Sequence, residues 1–146
     1  MNLNKDFKEF LELLNSNKVK YLVVGGYALG FHGYPRYTGD IDIWIGISEE
    51  NAKRMQKVVE DFGFSSLDLK SKDFLLQDTV IQLGFPPMRI DVITSIDGVC
   101  FEEAFVNKKT AVFSGVEINF IGLEDFKMNK KSSGRKQDLA DLESLS

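Results

Sequence analysis

Two aspartates separated by one residue, Asp40 and Asp42, are the pair in this sequence best suited to bind a cation. Residues two apart on a β-strand project from the same face, so both carboxylates would share one site. Carboxylates held close together repel each other unless a cation compensates their charge. Mg²⁺ does so, and it is commonly held by one or two carboxylates together with substrate phosphates. The spacing alone does not distinguish such a site from two solvated aspartates on a strand edge.

A third carboxylate, Asp91, lies in an apolar run between Ile90 and Val92. A charge in such a strand needs a partner, because buried carboxylates are usually paired or bound to a metal. Two interpretations are open. Asp91 forms a salt bridge with Arg89 or another arginine, or its strand lies beside that of Asp40 and it completes a three-acid site.

A glycine pair, Gly25 and Gly26, separates a β-branched run from residues 27–31, which are predicted to form a short helix. Glycine lets backbone N–H groups come close to a phosphate, and a helix N-terminus favours negative charge. The pair is therefore a candidate phosphate contact, although a tight turn alone also explains it.

Residues 127–136 concentrate positive charge in a chain whose formal net charge is −4. The basic residues of this segment are Lys127, Lys130, Lys131, Arg135 and Lys136, and it contains no acidic residue. The segment indicates a phosphate or nucleic-acid contact, with a solvated helix face as the alternative. The acidic balance of the whole chain argues against binding nucleic acid through bulk charge.

In the first part of the chain, predicted helices alternate with predicted strands, and in the later part predicted strands pair with each other. Predicted helices cover residues 4–15, 27–31 and 49–62, with two short helices in 123–145 interrupted at 132–134. Predicted strands cover residues 19–24, 40–45, 79–83, 89–94, 110–113 and 116–121. Residues 67–77 fit irregular structure or a short helix. The order predicts an α+β fold in which helices pack on one mixed β-sheet, as a single domain over residues 1–146.

Several classes of protein are disfavoured by composition. Cys100 is the only cysteine and His32 the only histidine, which excludes an internal disulfide and argues against a structural zinc site. Cys100 is expected to be a small apolar residue beside Phe101. Neither a signal peptide nor a membrane-spanning run is evident, so a cytoplasmic protein without a membrane partner is expected.

The order of these features resembles the polymerase-β-like minimal nucleotidyltransferase superfamily. Gly25-Gly26 is followed by thirteen residues, then by Asp40-x-Asp42 and later by Asp91. The superfamily signature is a Gly-Gly or Gly-Ser pair opening a helix, an Asp-x-Asp/Glu on the next strand and a third carboxylate on a later strand. The resemblance runs from about residue 19 to residue 142. Small stand-alone bacterial enzymes, including AbiEii-type toxins of toxin–antitoxin and phage-defence systems, are similar in segments 25–28, 36–42, 89–94 and 134–139.

This resemblance implies that Asp40 and Asp42 hold two Mg²⁺ ions and that Asp91 completes the site and helps to activate an acceptor hydroxyl. The reaction would be in-line attack on the α-phosphate of a nucleoside triphosphate (NTP), with release of pyrophosphate. The implied nucleotide-binding residues are Gly25, Gly26, Arg36, Thr38, Lys127 and Lys131. Arg135 and Asp138 either pair with each other structurally or take part in the site.

The acceptor implied by the resemblance is an RNA, such as tRNA, or a protein hydroxyl, and a cognate antitoxin is an expected partner. One alternative is a non-catalytic or antitoxin-type partner-binding module of the same fold. A nucleic-acid-binding module that uses residues 127–136 is a second alternative.

Overall fold

The computed structural model describes residues 3–35, 38–64, 67–85 and 88–145, in which six α-helices and six strands are the main elements and a π-helical turn, Glu60–Phe64, extends α3. The helices are α1 (Lys5–Ser16), α2 (Gly25–Phe31), α3 (Glu49–Val59), α4 (Phe101–Val106), α5 (Leu123–Ser133) and α6 (Lys136–Leu145). The strands are β1 (Tyr21–Val24), β2 (Asp40–Ile45), β3 (Val80–Phe85), β4 (Met88–Ile93), β5 (Lys109–Phe113) and β6 (Val116–Phe120).

The strands form one mixed sheet in the order β3-β4-β2-β1-β6-β5. β1 runs antiparallel to β2 and parallel to β6, while β2 runs parallel to β4. The outer strands β3 and β5 pair antiparallel with their neighbours. The predicted α+β fold with one mixed sheet is therefore confirmed. Its central feature for function is that β2 and β4, distant in the chain, lie side by side.

Each face of the sheet packs against its own set of helices. Ile41, Ile43 and Ile45 alternate along β2 and are buried against the face covered by α1 and α3. Trp44 points the other way and packs with Phe101 of α4 in a core shared with α2 and α5. Since alternate strand residues project to opposite faces, Asp40 and Asp42 share the face of Trp44.

Local signals account for the helix boundaries. Asn4 precedes α1, and its side-chain oxygen accepts from the backbone N–H of Asp6 at 2.7 Å. Ser48 caps α3 in the same way, accepting from the N–H of Asn51 at 3.1 Å. At the C-terminal end of α5, Gly134 has a φ of +66°, a conformation that glycine adopts without strain. The chain thus reverses into α6, close to the interruption predicted at residues 132–134.

Two parts of the fold differ from expectation. The short helix α4 was not predicted, because six residues are too few to reveal a helical period. The expectation that Cys100 is a small apolar residue is wrong, since Cys100 is exposed and its thiol donates to Glu102 at 3.3 Å. Cys100 precedes α4 and so lies outside the buried stripe of Phe101 and Ala104. The ambiguous segment contains one 3₁₀ turn, Ser71–Phe74.

None of the helices in the described residues is both long enough and apolar enough to span a membrane.

Replacing Ile43 with alanine should lower the free energy of unfolding by about 2–5 kcal/mol, because Ile43 is fully buried at the centre of the sheet. Urea denaturation would measure this loss. The matched control is Val112→Ala on the edge strand β5, where the side chain is 66% exposed and the loss should be below about 0.5 kcal/mol. Equal losses in the two variants would contradict the assignment of Ile43 to the core.

Candidate active site

The parallel pairing of β2 and β4 brings the three predicted carboxylates together. Asp42 lies directly opposite Asp91, and Asp40 lies opposite Arg89. Neighbouring strands are about 4.7–4.9 Å apart, and residues opposite each other share a face. All three aspartates therefore project from one patch of the sheet, on the side of α5.

Arg89 connects two of these carboxylates. Its Nε donates to Asp91 at 2.7 Å, and its Nη2 donates to Asp91 and Asp40 at 3.0 Å each. Asp91 is buried, so a charged partner is required. The salt bridge to Arg89 is therefore present, and the strand of Asp91 also lies beside that of Asp40. That Asp91 completes a three-acid site stays a prediction.

Asp42 is a strongly perturbed acid of the site. Burial, together with the negative charges of Asp91 and Asp40, raises the pKa of Asp42 to about 6, although the positive charges of Lys130 and Arg89 oppose the shift. Asp42 is therefore destabilised as an anion in the absence of an added cation. Such a perturbed carboxyl in a cleft is a common property of functional sites.

The glycine pair lies against the carboxylates. Gly25 begins α2 with a φ of +67°, and a Cβ at this position would lie 2.1 Å from Oδ2 of Asp42. A Cβ on Gly26 would lie 3.1 Å from Cβ of Thr38, whose hydroxyl donates to the carbonyl oxygen of Asp40 at 3.0 Å. The absence of side chains at both glycines thus allows Asp42 and Thr38 to pack closely against the start of α2.

A cleft of about 440 Å³ opens at Asp42 between the sheet and the two C-terminal helices. Its lining combines a charged part with an apolar part. The charged residues are Asp42, Asp97, Lys130, Arg135 and Asp138, and the apolar ones are Val24, Val80, Ile93 and Ile96. This volume lies within the range of small-ligand sites.

The basic residue of α5 that lines this cleft is Lys130, which sequence reasoning did not single out. The structure does not bring Lys127 or Lys131 to it, since Lys127 lies 3.8 Å from the exposed Glu124 and Lys131 is itself exposed. Lys130 is one helical turn from the buried Phe126, so both lie on the inward stripe of α5. That spacing is the signal that would have found it.

Of the remaining predicted residues, Arg135 and Asp138 can be placed in the structure. Arg135 donates to Asp138 from Nε at 2.7 Å, so the expected pairing is present, and both residues also line the cleft. Arg36 lies outside the described residues.

The three aspartates offer the type of ligand atom that Mg²⁺ prefers, although their side chains do not converge into a ready-made metal cluster. Carboxylate oxygens are the preferred ligands of this ion, and the carboxylate of Asp42 lies against the backbone of Gly25. Within the described ranges, no three acidic, histidine or cysteine side chains converge closely enough to hold a metal. The guanidinium of Arg89 already binds Asp40 and Asp91, and so compensates part of their charge.

Solved structures share this architecture, which is the fold of minimal nucleotidyltransferases. A candidate nucleotidyltransferase from Thermotoga maritima superposes with a TM-score of 0.64 at 18% identity, over 94% of this chain and 88% of that chain. An antigenic nucleotidyltransferase-like protein from Paracoccidioides brasiliensis gives 0.58 at 15% identity, over 98% and 77%. The lincosamide antibiotic adenylyltransferase LnuA, solved with lincomycin bound, gives 0.56 at 16% identity, over 98% and 96%. At such identities, the likeness shows the fold alone.

The chain belongs to the family described as nucleotidyltransferase of unknown function, DUF6036, whose profile matches residues 1–146. A search of curated proteins gives no sequence match. The resemblance to the minimal nucleotidyltransferase superfamily is confirmed, whereas the likeness to AbiEii-type toxins stays a prediction.

In Gly25→Ala, the added Cβ should displace the carboxylate of Asp42 and weaken binding of a non-hydrolysable NTP with Mg²⁺ by at least about tenfold, or 1.4 kcal/mol. Calorimetry would measure the affinity. The matched control is Gly33→Ala, because Gly33 also has a positive φ, +103°, but a Cβ there would meet nothing within 4 Å. Both variants should lose about 1–2 kcal/mol of stability from backbone strain. An equal loss of affinity in the two would contradict the role of Gly25.

Asp42→Asn should stabilise the metal-free protein at pH 8 but not at pH 4. The folded state raises the pKa of Asp42 from 3.8 to about 6, so it holds this proton more tightly than the unfolded chain. The wild type therefore loses stability as the pH rises between these values, by at most about 3 kcal/mol. Thermal unfolding in EDTA at both pH values would measure the difference. Equal effects of the substitution at pH 4 and pH 8 would show that the charge of Asp42 is not the cause.

Proposed function

We propose that this protein transfers a nucleotide from an NTP to an acceptor hydroxyl in a Mg²⁺-dependent reaction. The observation that carries the proposal is the placement of Asp42 opposite Asp91 and against Gly25, at the mouth of a cleft that also contains Lys130. The family and the fold support nucleotidyl transfer as the reaction class.

Asp40, Asp42 and Asp91 would hold the metal, with two ions as the expected number. When bound, Mg²⁺ supplies positive charge to the phosphate oxygens and to the attacking and leaving oxygens. Arg89 would then share Asp40 and Asp91 with the metal or release them to it.

The triphosphate would lie between the glycine pair and α5. Gly25 and Gly26 have no side chain to obstruct its approach, so backbone N–H groups can come close to phosphate oxygens. Lys130 and Arg135 provide positive charge on the opposite side of the cleft. Lys130 thereby takes the role first assigned to Lys127 and Lys131. A phosphate contact by Arg36 remains part of the proposal.

The transfer forms one bond and breaks one bond at the α-phosphorus. The acceptor oxygen attacks this atom, and the bond from the α-phosphorus to the oxygen bridging to the β-phosphate breaks. That oxygen keeps the electron pair and leaves with pyrophosphate. Asp91 accepts the proton of the acceptor hydroxyl. The reaction is dominated by positioning and electrostatic stabilisation, which a rigid sheet with three fixed carboxylates can provide.

The proposed acceptor is a hydroxyl at the end of an RNA, such as tRNA. A protein hydroxyl is the alternative acceptor that the experiment must distinguish from it. The formal net charge of −4 means that an RNA would be recognised by a local basic surface. The adenylyltransferase LnuA, which shares the fold, was solved with an antibiotic bound, so a small-molecule acceptor is a third outcome of the same test.

The test is incubation with Mg²⁺, each of the four NTPs labelled at the α-phosphate, and separate pools of RNA, protein and small molecules from cells. We expect label to appear in the RNA pool with release of pyrophosphate. Asp42→Ala should lower the rate by at least about 1000-fold, because it removes several kcal/mol of charge stabilisation. The control, Glu124→Gln, removes a charge at a side chain that is 87% exposed and should leave the rate unchanged.

Labelling that persists in Asp42→Ala, or its absence from every pool, would overturn the catalytic proposal. Stoichiometric co-purification with a protein partner, without metal-dependent NTP binding, would then favour the partner-binding module. The toxin-type role extends the proposal and predicts that expression of the wild type, but not of Asp42→Ala, inhibits growth.

A further inference from the structure

A buried ion network joins α5 to α6 at the wall of the cleft. The side chain of Lys130 is 6% exposed, and its ammonium lies 3.2 Å from Asp138 and 3.0 Å from Asp141. Both aspartates are also buried, with side chains 2% and 4% exposed. A buried ammonium requires such partners, because an unpaired buried charge is strongly unfavourable.

The two aspartates are themselves held in place. Asp138 accepts from the hydroxyl of Ser133 at 2.7 Å and from Nε of Arg135 at 2.7 Å. Asp141 accepts from the side-chain amide of Gln137 at 2.8 Å. Burial disfavours ionisation of Asp138, but the hydrogen bonds from Arg135, Ser133 and Lys130 outweigh it and lower its pKa. The carboxylates of α6 are thus a fixed negative charge facing α5.

Lys130 has a competing anion within the same cleft. Asp42 lines this cleft with Lys130, and their charges interact. The ammonium of Lys130 donates a hydrogen bond to Asp138 and lies at ion-pair distance from Asp141. The two carboxylates of α6 therefore set the position of the nitrogen. Without the two aspartates, the ammonium of Lys130 would be attracted to the other carboxylates of the cleft, Asp42 and Asp97.

We propose that Asp138 and Asp141 are positioning residues, which hold the ammonium of Lys130 on the α6 side of the cleft and so keep Asp42 available to the metal. This inference rests on the proposed function, because it assigns Lys130 to the triphosphate and Asp42 to Mg²⁺. The aspartates act through Lys130.

The test measures Mn²⁺ binding by electron paramagnetic resonance in the absence of nucleotide. In Asp141→Asn, the ammonium of Lys130 should turn towards Asp42 and weaken Mn²⁺ binding by at least about tenfold, a size typical of coupling between two sites. The matched control is Glu143→Gln, a charge removal at an exposed residue of the same helix, which should bind Mn²⁺ as the wild type does.

A second variant separates a misdirected lysine from general damage. Lys130→Met combined with Asp141→Asn removes the ammonium as well, so Mn²⁺ affinity should return to within about twofold of wild type. Affinity for the NTP analogue should remain weak, since the positive charge is lost. A double variant that folds, by circular dichroism, but still binds Mn²⁺ weakly would overturn the proposal. If Asp141→Asn alone does not fold, the Mn²⁺ affinity of the double variant relative to that of the wild type still tests the proposal.

A third readout is independent of metal and nucleotide. Acetylation of Lys130 by acetic anhydride, followed by mass spectrometry, should be slower than that of the exposed Lys131 in the wild type. In Asp141→Asn it should be at least about fivefold faster, because the ammonium has lost a buried partner. Unchanged reactivity would overturn the positioning role. A wild type that binds neither Mn²⁺ nor NTP would instead overturn the proposed function, and the reactivity of Lys130 would still decide whether the aspartates hold it.

Discussion

The site depends on the parallel pairing of β2 with β4, which forces like charges together. Asp42 and Asp91 are opposite each other in this register, and Asp40 is opposite Arg89. A shift of one residue in either strand would turn its carboxylates to the other face, where α1 and α3 pack. The buried isoleucines of β2 prevent that shift, because Ile41, Ile43 and Ile45 must remain in the core. Core packing therefore fixes the geometry of the acids.

Concentrated negative charge requires compensation, and the fold supplies it from two sides. Arg89 binds Asp40 and Asp91 within the sheet, while Lys130 faces Asp42 from α5. Lys130 is in turn balanced by Asp138 and Asp141 of α6. The cleft is thus bordered by fixed charges of both signs, which suits a ligand that carries phosphates and a divalent cation.

The structural neighbours define a shared fold at low identity, between 15% and 18% for the three compared structures. A fold hosts many chemistries, and function is determined by the residues of the site. In this protein, the proposed residues are the three aspartates, the glycine pair and Lys130 of α5. Their arrangement supports the proposal of nucleotidyl transfer.

The amino-acid sequence by itself determined most of the elements and most of the candidate residues. Alternation along residues 40–45 indicated the faces of β2, and the glycine pair with its three aspartates indicated the family, because these are local patterns of period and spacing. Tertiary structure alone decided that Asp42 lies opposite Asp91, and that Lys130 rather than Lys127 or Lys131 faces the cleft. Strand order depends on contacts between distant segments, and the facing side of α5 depends on how Gly134 and α6 fold against it. Neither is encoded in a local spacing, which is why the charge balance of the site became visible only in three dimensions.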